Sequence, residues 1–148
     1  RGGAGNGRVL WKLGKDGDFQ LDSTDASPWF SHQHDAQLDA GGMLMLFDNG
    51  NLRRDADAGA NSRGQVFQID ETKRTARLAF NADLGDFAFA LGSAQRLKNG
   101  NYFFNMGYRM NNTGRAVETT PDGKINYAVE STGPVYRTFR LQDMYTKQ

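Results

Sequence analysis

Two imidazoles, His32 and His34, are the only histidines of the 148-residue chain, and both lie in "FSHQHDAQLDAGGMLMLFDNG", Phe30 to Gly50. Histidine changes charge near neutral pH, so it can serve as nucleophile, general base, proton shuttle or metal ligand. Four readings of the cluster stay open on residue types alone. The rings can simply satisfy backbone groups beside an ordinary "DNG" turn. Two imidazoles one residue apart can share a metal, although a third ligand is not evident and the chain has no cysteine to supply one. "DNGN" resembles the opening of a calcium loop, but the rest of that pattern is missing, which favours a plain turn. The fourth reading is a catalytic imidazole.

The segments that must position these residues read as short strands. Most apolar residues occur in short runs bounded by Gly, Asn or Asp, with eighteen glycines and only three prolines. The pattern predicts strands at Arg8–Leu13, His34–Asp39, Met43–Asp48, Gly64–Ile69, Thr75–Phe80, Ser93–Leu97, Asn101–Asn105, Arg115–Thr119, Ile125–Glu130 and Tyr136–Leu141. No amphipathic helix is expected. "DFAFALGSAQRL" comes nearest, but Gly92 interrupts it and a strand-and-turn signal follows. With Gly41 and Gly42 as a two-residue turn, Leu38 would face Met45, Ala36 Phe47, Asp35 Asp48 and His34 Asn49. His32 and His34 would then share a face, with Asp35 on the other.

A repeat organises the strands. "AQLDAGGMLMLF" from Ala36 and "AQRLKNGNYFFN" from Ala94 superimpose without a gap at an offset of 58 residues, and each continues into a further hairpin. The second hairpin turns on Asn99 and Gly100. Tandem four-stranded antiparallel units are the pattern of β-propeller blades, with a β-sandwich as the alternative. The expected division is a flexible Gly-rich lead-in (1–7), the end of a preceding blade with its loop (8–33), a first full blade (34–80), a second (93–130) and a closing strand with tail (131–148). Propellers close with about four or more blades, so two to three blades predict partners that complete the ring.

Bulk properties narrow the function classes. Eighteen basic against seventeen acidic residues leave a charge of +1, which gives no reason to expect nucleic acid. No apolar run reaches the roughly twenty residues that cross a bilayer, so membrane insertion is not expected. Without cysteine, thiolate nucleophiles and disulfides are excluded.

Taken in order, "QHDAQLDAGGMLMLFDNGN", "SRGQVFQID", "GSAQRLKNGNYFFNMG" and "VYRTFRLQDMY" resemble the C-terminal part of the bacterial aryl-sulfate sulfotransferases and their arylsulfotransferase-like relatives, from about Val9 to Tyr145. The most specific pieces are Gln33-His34, Phe47-Asp48-Asn49-Gly50, Ser62-Arg63, and Tyr136-Arg137 with Arg140. The resemblance implies a six-bladed propeller with its active site in the central channel. It implies sulfuryl transfer from a phenolic sulfate ester to a phenol, with no nucleotide sulfate donor. It implies a covalent histidine intermediate, carried here by His34. The family's other sulfate-binding and proton-moving residues belong to earlier blades that this sequence does not contain. Export to the periplasm or outside the cell is a further implication.

Around His34 the resemblance leaves roles to be tested. His32 is a donor, a proton shuttle or a surface residue. Asn49 is a candidate amide ligand for sulfate or the imidazole. Arg63 and Arg137 are candidates for bidentate sulfate binding, or, with Arg140, for interblade ion pairs. Phe47 is a candidate for the aryl group, or for core packing along with Trp29, Phe30, Tyr136 and "NYFFN". Asp35 and Asp48 would repel an anionic donor and are expected in turn and backbone hydrogen bonds. A sulfuryl group carries less negative charge than a phosphoryl group, so no metal or other cofactor is required. A non-catalytic propeller-type binding or scaffold module is the alternative. A hydrolase or lyase built on the same two histidines is a third option.

Overall fold

The computed structural model describes residues 5–141, so the ends of the lead-in and of the tail lie outside the described residues. β1 (Gln20–Asp22), β2 (His34–Leu38), β3 (Met43–Asp48), β4 (Arg63–Asp70) and β5 (Thr75–Asp83) form one sheet in the order β1-β5-β4-β3-β2. β6 (Ala88–Arg96), β7 (Tyr102–Arg109), β8 (Gly114–Thr119) and β9 (Ile125–Ser131) form the second, in chain order. Every pairing is antiparallel except β1 with β5. The expected all-β class with four-stranded antiparallel units is borne out, and sheets of this kind fit propeller blades.

The repeated hairpins share one turn. Asp39 N–H donates to the Met43 carbonyl (3.0 Å) and Gly42 N–H to the Asp39 carbonyl (3.2 Å); 58 residues on, Leu97 donates to Asn101 (2.8 Å) and Gly100 to Leu97 (3.1 Å). These are three-residue loops whose last residue is left-handed, Gly42 at φ 80° and Gly100 at φ 89°. A Cβ on Gly42 would stand 2.7 Å from the Ile69 carbonyl, so glycine is needed there for space as well as for conformation.

Alternation along each strand sends one face of the first sheet against the second. Met45, Phe47, Val66 and Phe80 interlock there with Ala94, Tyr102, Phe104 and Met106. Two rings set the spacing. Phe47 lies over Gly92, where a Cβ would fall 2.2 Å from its ring, and Phe104 lies over Gly64 in the same way, also at 2.2 Å. Each sheet thus offers a glycine to the other's phenylalanine. Full burial of such a ring contributes about 1.5–3 kcal/mol. The opposite face of the first sheet (Leu44, Leu46, Phe67, Ile69) is covered by Phe19, Trp11, Trp29 and Phe30 from the N-terminal segment. The corresponding face of the second sheet is crossed by residues 132–141, while Ile125, Tyr127 and Val129 on β9 remain exposed.

Several local expectations are corrected. Arg8–Leu13 is not a strand: Lys12 and Asp18 close a loop instead, through Lys12 N–H to Asp18 Oδ2 (2.6 Å) and Asp18 N–H to the Lys12 carbonyl (2.8 Å). Its apolar residues were real signals of packing, since Trp11 and Leu13 lie against the outer core. Tyr136–Leu141 has no ladder partner among the described residues and is held by side chains. A six-residue helix, α1 (Asn51–Ala56), was not foreseen, being too short to show a period. It is fixed from outside, by Arg53 to Asp48 and the Asn61 carbonyl and by Arg54 to the Ala60 carbonyl. Among the described residues no helix is long and apolar enough to cross a membrane.

Candidate functional site

His34 opens β2, an edge strand, and pairs with Phe47, not with Asn49; Gln37 pairs with Met45 and Leu38 with Leu44. The longer turn moves the register by one, and a bulge between His34 and Gln37 moves it again. Asp35 sits in that bulge at φ 54°, and His32 is left-handed at φ 54° as well. Non-glycine residues cost energy in this conformation and persist where their surroundings impose it. His34 is therefore flanked on both sides by strained backbone.

Three stretches of sequence join to hold this entry. Asp48 and Arg63 are direct ladder partners across β3 and β4. Buried Asp48 accepts from Arg63 Nε (3.2 Å) and Arg53 Nη1 (2.8 Å) on one oxygen and from Ser31 N–H (2.9 Å) on the other. Ser31 returns its hydroxyl to Leu52 N–H (3.1 Å) and its carbonyl to Gly50 N–H (3.0 Å). The start of "SHQH", "FDNG" and "SR" is thus one network, and it fixes the chain just ahead of His32.

His34 is half-buried, and its imidazole is pulled below its ordinary pKa, first by burial and then by the nearby Arg137 charge, with Asp35 opposing. The neutral, nucleophilic form is favoured. Among the described residues no hydrogen bond to either ring nitrogen is formed. Arg137, partly exposed, meets Asp35 at 3.3 Å and stacks its guanidinium 5.1 Å from the Tyr136 ring. His32 is exposed and outside the strand.

The remaining candidates are committed elsewhere. Phe47 is fully buried between the sheets. Asn49 is fully buried; its amide donates to the Ala88 (2.6 Å) and Leu91 (3.3 Å) carbonyls, and its Oδ1 has no hydrogen-bond partner among the described residues. Arg63 is bound by Asp48, by Asp25 (3.0 Å) and by the Ser27 carbonyl (2.9 Å). Arg140 pairs with buried Glu118. The structure therefore gathers His34 and Arg137, with Asp35 between strand and arginine, and leaves Phe47, Asn49 and Arg63 within the scaffold.

A family profile described as arylsulfotransferase (ASST) matches residues 3–145. The chain belongs to the arylsulfotransferase family. A comparison with curated proteins gives no match. Family membership implies aryl sulfotransferase activity in general, with aryl sulfates and phenols as substrates. Asp35 is the residue whose part sequence reasoning underrated, because the expected two-residue turn put it opposite Asp48, whereas it lies in the bulge. Leu91, left-handed at φ 62° and bonded to Asn49, was missed altogether. Among the described residues, no three His, Cys, Asp or Glu are grouped to hold a metal ion.

Proposed function

We propose that this chain supplies His34 as the sulfuryl acceptor in transfer from a phenolic sulfate ester to a phenol. A lone pair on an imidazole nitrogen forms the N–S bond as the S–O(aryl) bond breaks, and the phenolate leaves to take a proton. An acceptor phenol then gives its proton to solvent, which supplied the one taken by the departing phenolate, as its oxygen forms a new S–O bond, the N–S bond breaks, and the neutral ring returns. Burial and Arg137 favour the uncharged imidazole this requires. Arg137 is the cation suited to a sulfate ester's oxygens. The channel is proposed to be completed by further blades or other chains, in a six-bladed propeller working in the periplasm or outside the cell.

The single observation that carries this reading is the family match across 3–145. The placement of His34 supports it. The test is consumption of an aryl sulfate by the chain in its complete assembly, with and without a phenol acceptor. The proposal expects sulfated phenol, produced by wild type and His32→Asn and lost in His34→Asn. Equal release of inorganic sulfate with and without acceptor would indicate a hydrolase. No turnover by any form would favour the non-catalytic module.

A further inference from the structure

The repeat places matching side chains on matching strands. Asp35 and Gln37 on β2 correspond, 58 residues on, to Ser93 and Gln95 on β6. Both pairs do the same thing: they seize backbone in the neighbouring layer. Asp35 Oδ2 accepts from Ala94 N–H (3.1 Å) while the Gln37 amide donates to the Ala94 carbonyl (2.9 Å). Ser93 Oγ accepts from Thr138 N–H (3.2 Å) and donates to the Thr138 carbonyl (2.8 Å), and Gln95 exchanges hydrogen bonds with the Arg140 backbone (2.8 and 3.1 Å).

A serine is therefore sufficient to hold backbone at this position. A carboxylate is present only in the copy that carries the histidine; the counterpart of His34 in the other copy is Gly92. The oxygen not used on Ala94 faces Arg137 Nη1 at 3.3 Å. The side chain of Asp35 is only 10% exposed, so the pair is shielded on the carboxylate side, and its backbone is left-handed.

We propose that Asp35 is a positioning residue for His34: its carboxylate ties the bulge beside the imidazole to the neighbouring sheet and holds the Arg137 guanidinium within electrostatic reach of the ring. This rests on the reading of His34 as sulfuryl acceptor. The charged groups that act on the ring are Arg137, from the C-terminal segment, and Asp35, from its own strand.

The test is a double-mutant cycle read by NMR titration of the His34 ring in the full chain, with the exposed His32 ring as reference. Asp35→Asn keeps an acceptor for Ala94 and tolerates the left-handed backbone, but gives up the ion pair. Arg137→Gln should raise the His34 midpoint in the wild-type background, and by less than half as much in the Asp35→Asn background. A shift of equal size in both backgrounds, or none in either, overturns the proposal. A purely structural Asp35 would give equal shifts. The second readout is the rate at which an aryl sulfate places a sulfuryl group on His34. Asp35→Asn should slow it about tenfold at saturating donor, and an unchanged rate also overturns the proposal. If wild type takes up no sulfuryl group while the titration remains coupled, the acceptor reading fails and the positioning of the ring stands.

Discussion

Asp35, on the edge strand of one sheet, and Arg137, in the segment that crosses the other, meet at 3.3 Å beside the histidine that opens β2. One carboxylate thus links strand, neighbouring sheet and C-terminal segment beside the imidazole that the proposed transfer calls for in uncharged form. Burial and the Arg137 charge lower the pKa of that imidazole, Asp35 raises it, and the balance lies below the ordinary 6.5. A nucleophilic ring gains activity as it loses its proton, so lowering the pKa extends the active form toward acid. The acid limb of sulfuryl uptake by His34 should therefore have its midpoint below pH 6.5. Rates measured across pH 5–8 check this; a midpoint above 6.5 would contradict it.

The Asp48 network is expected to be the most sensitive part of the scaffold. Asp48 is fully buried and accepts from two arginines. Asp48→Ala leaves Arg63 with Asp25 as its one carboxylate among the described residues, beside the Ser27 carbonyl, and removal of one partner from a buried ion pair costs about 3–5 kcal/mol. Denaturant titration should show a loss of about 3 kcal/mol, tempered by the remaining Asp25 contact. A loss below about 1 kcal/mol would mean the network is not the clamp described.

Gly64→Ala tests the packing of ring on glycine. The new methyl would meet the Phe104 ring at 2.2 Å, and such overpacking costs about 1–3 kcal/mol. Phe104→Leu in the same chain should recover part of that loss, so the two substitutions should be non-additive in a denaturation cycle. Additive losses would place the strain elsewhere.

The uncovered face of β9 bears on assembly. Ile125, Tyr127 and Val129 are 38%, 51% and 47% exposed on a strand that has, among the described residues, no neighbour on its far side. If further blades or chains complete the ring, the chain alone should self-associate through this face, and light scattering should report a mass above 16.4 kDa. Val129→Lys should return it to monomer. A compact wild-type monomer would contradict the incomplete-ring proposal.

Much of this was legible in the sequence because strand alternation and turn chemistry are local. The runs at Met43–Asp48 and Gly64–Ile69 fall on β3 and within β4, and the 58-residue offset reappears in the hydrogen bonds of two turns. Side-chain roles were less legible, because they depend on register. One extra loop residue before Met43 and a bulge at Asp35 placed His34 across from Phe47, while bonds to Ala88 and Leu91 bury Asn49 and the pairing with Asp48 buries Arg63. The apolar residues that suggested a strand at Arg8–Leu13 do pack, since Trp11 and Leu13 lie partly buried against the outer core, but packing without a ladder leaves the same local pattern. The pairing of Asp35 with Arg137 spans 102 residues and no local pattern announces it.

The most direct test of the central claim is peptide mass spectrometry of the assembled protein after brief exposure to an aryl sulfate. The account predicts sulfuryl mass on the peptide containing His34, localised to that residue and not to His32, and discharged when a phenol is added. Sulfuryl mass at another residue, or turnover with His34 unmodified, would contradict it.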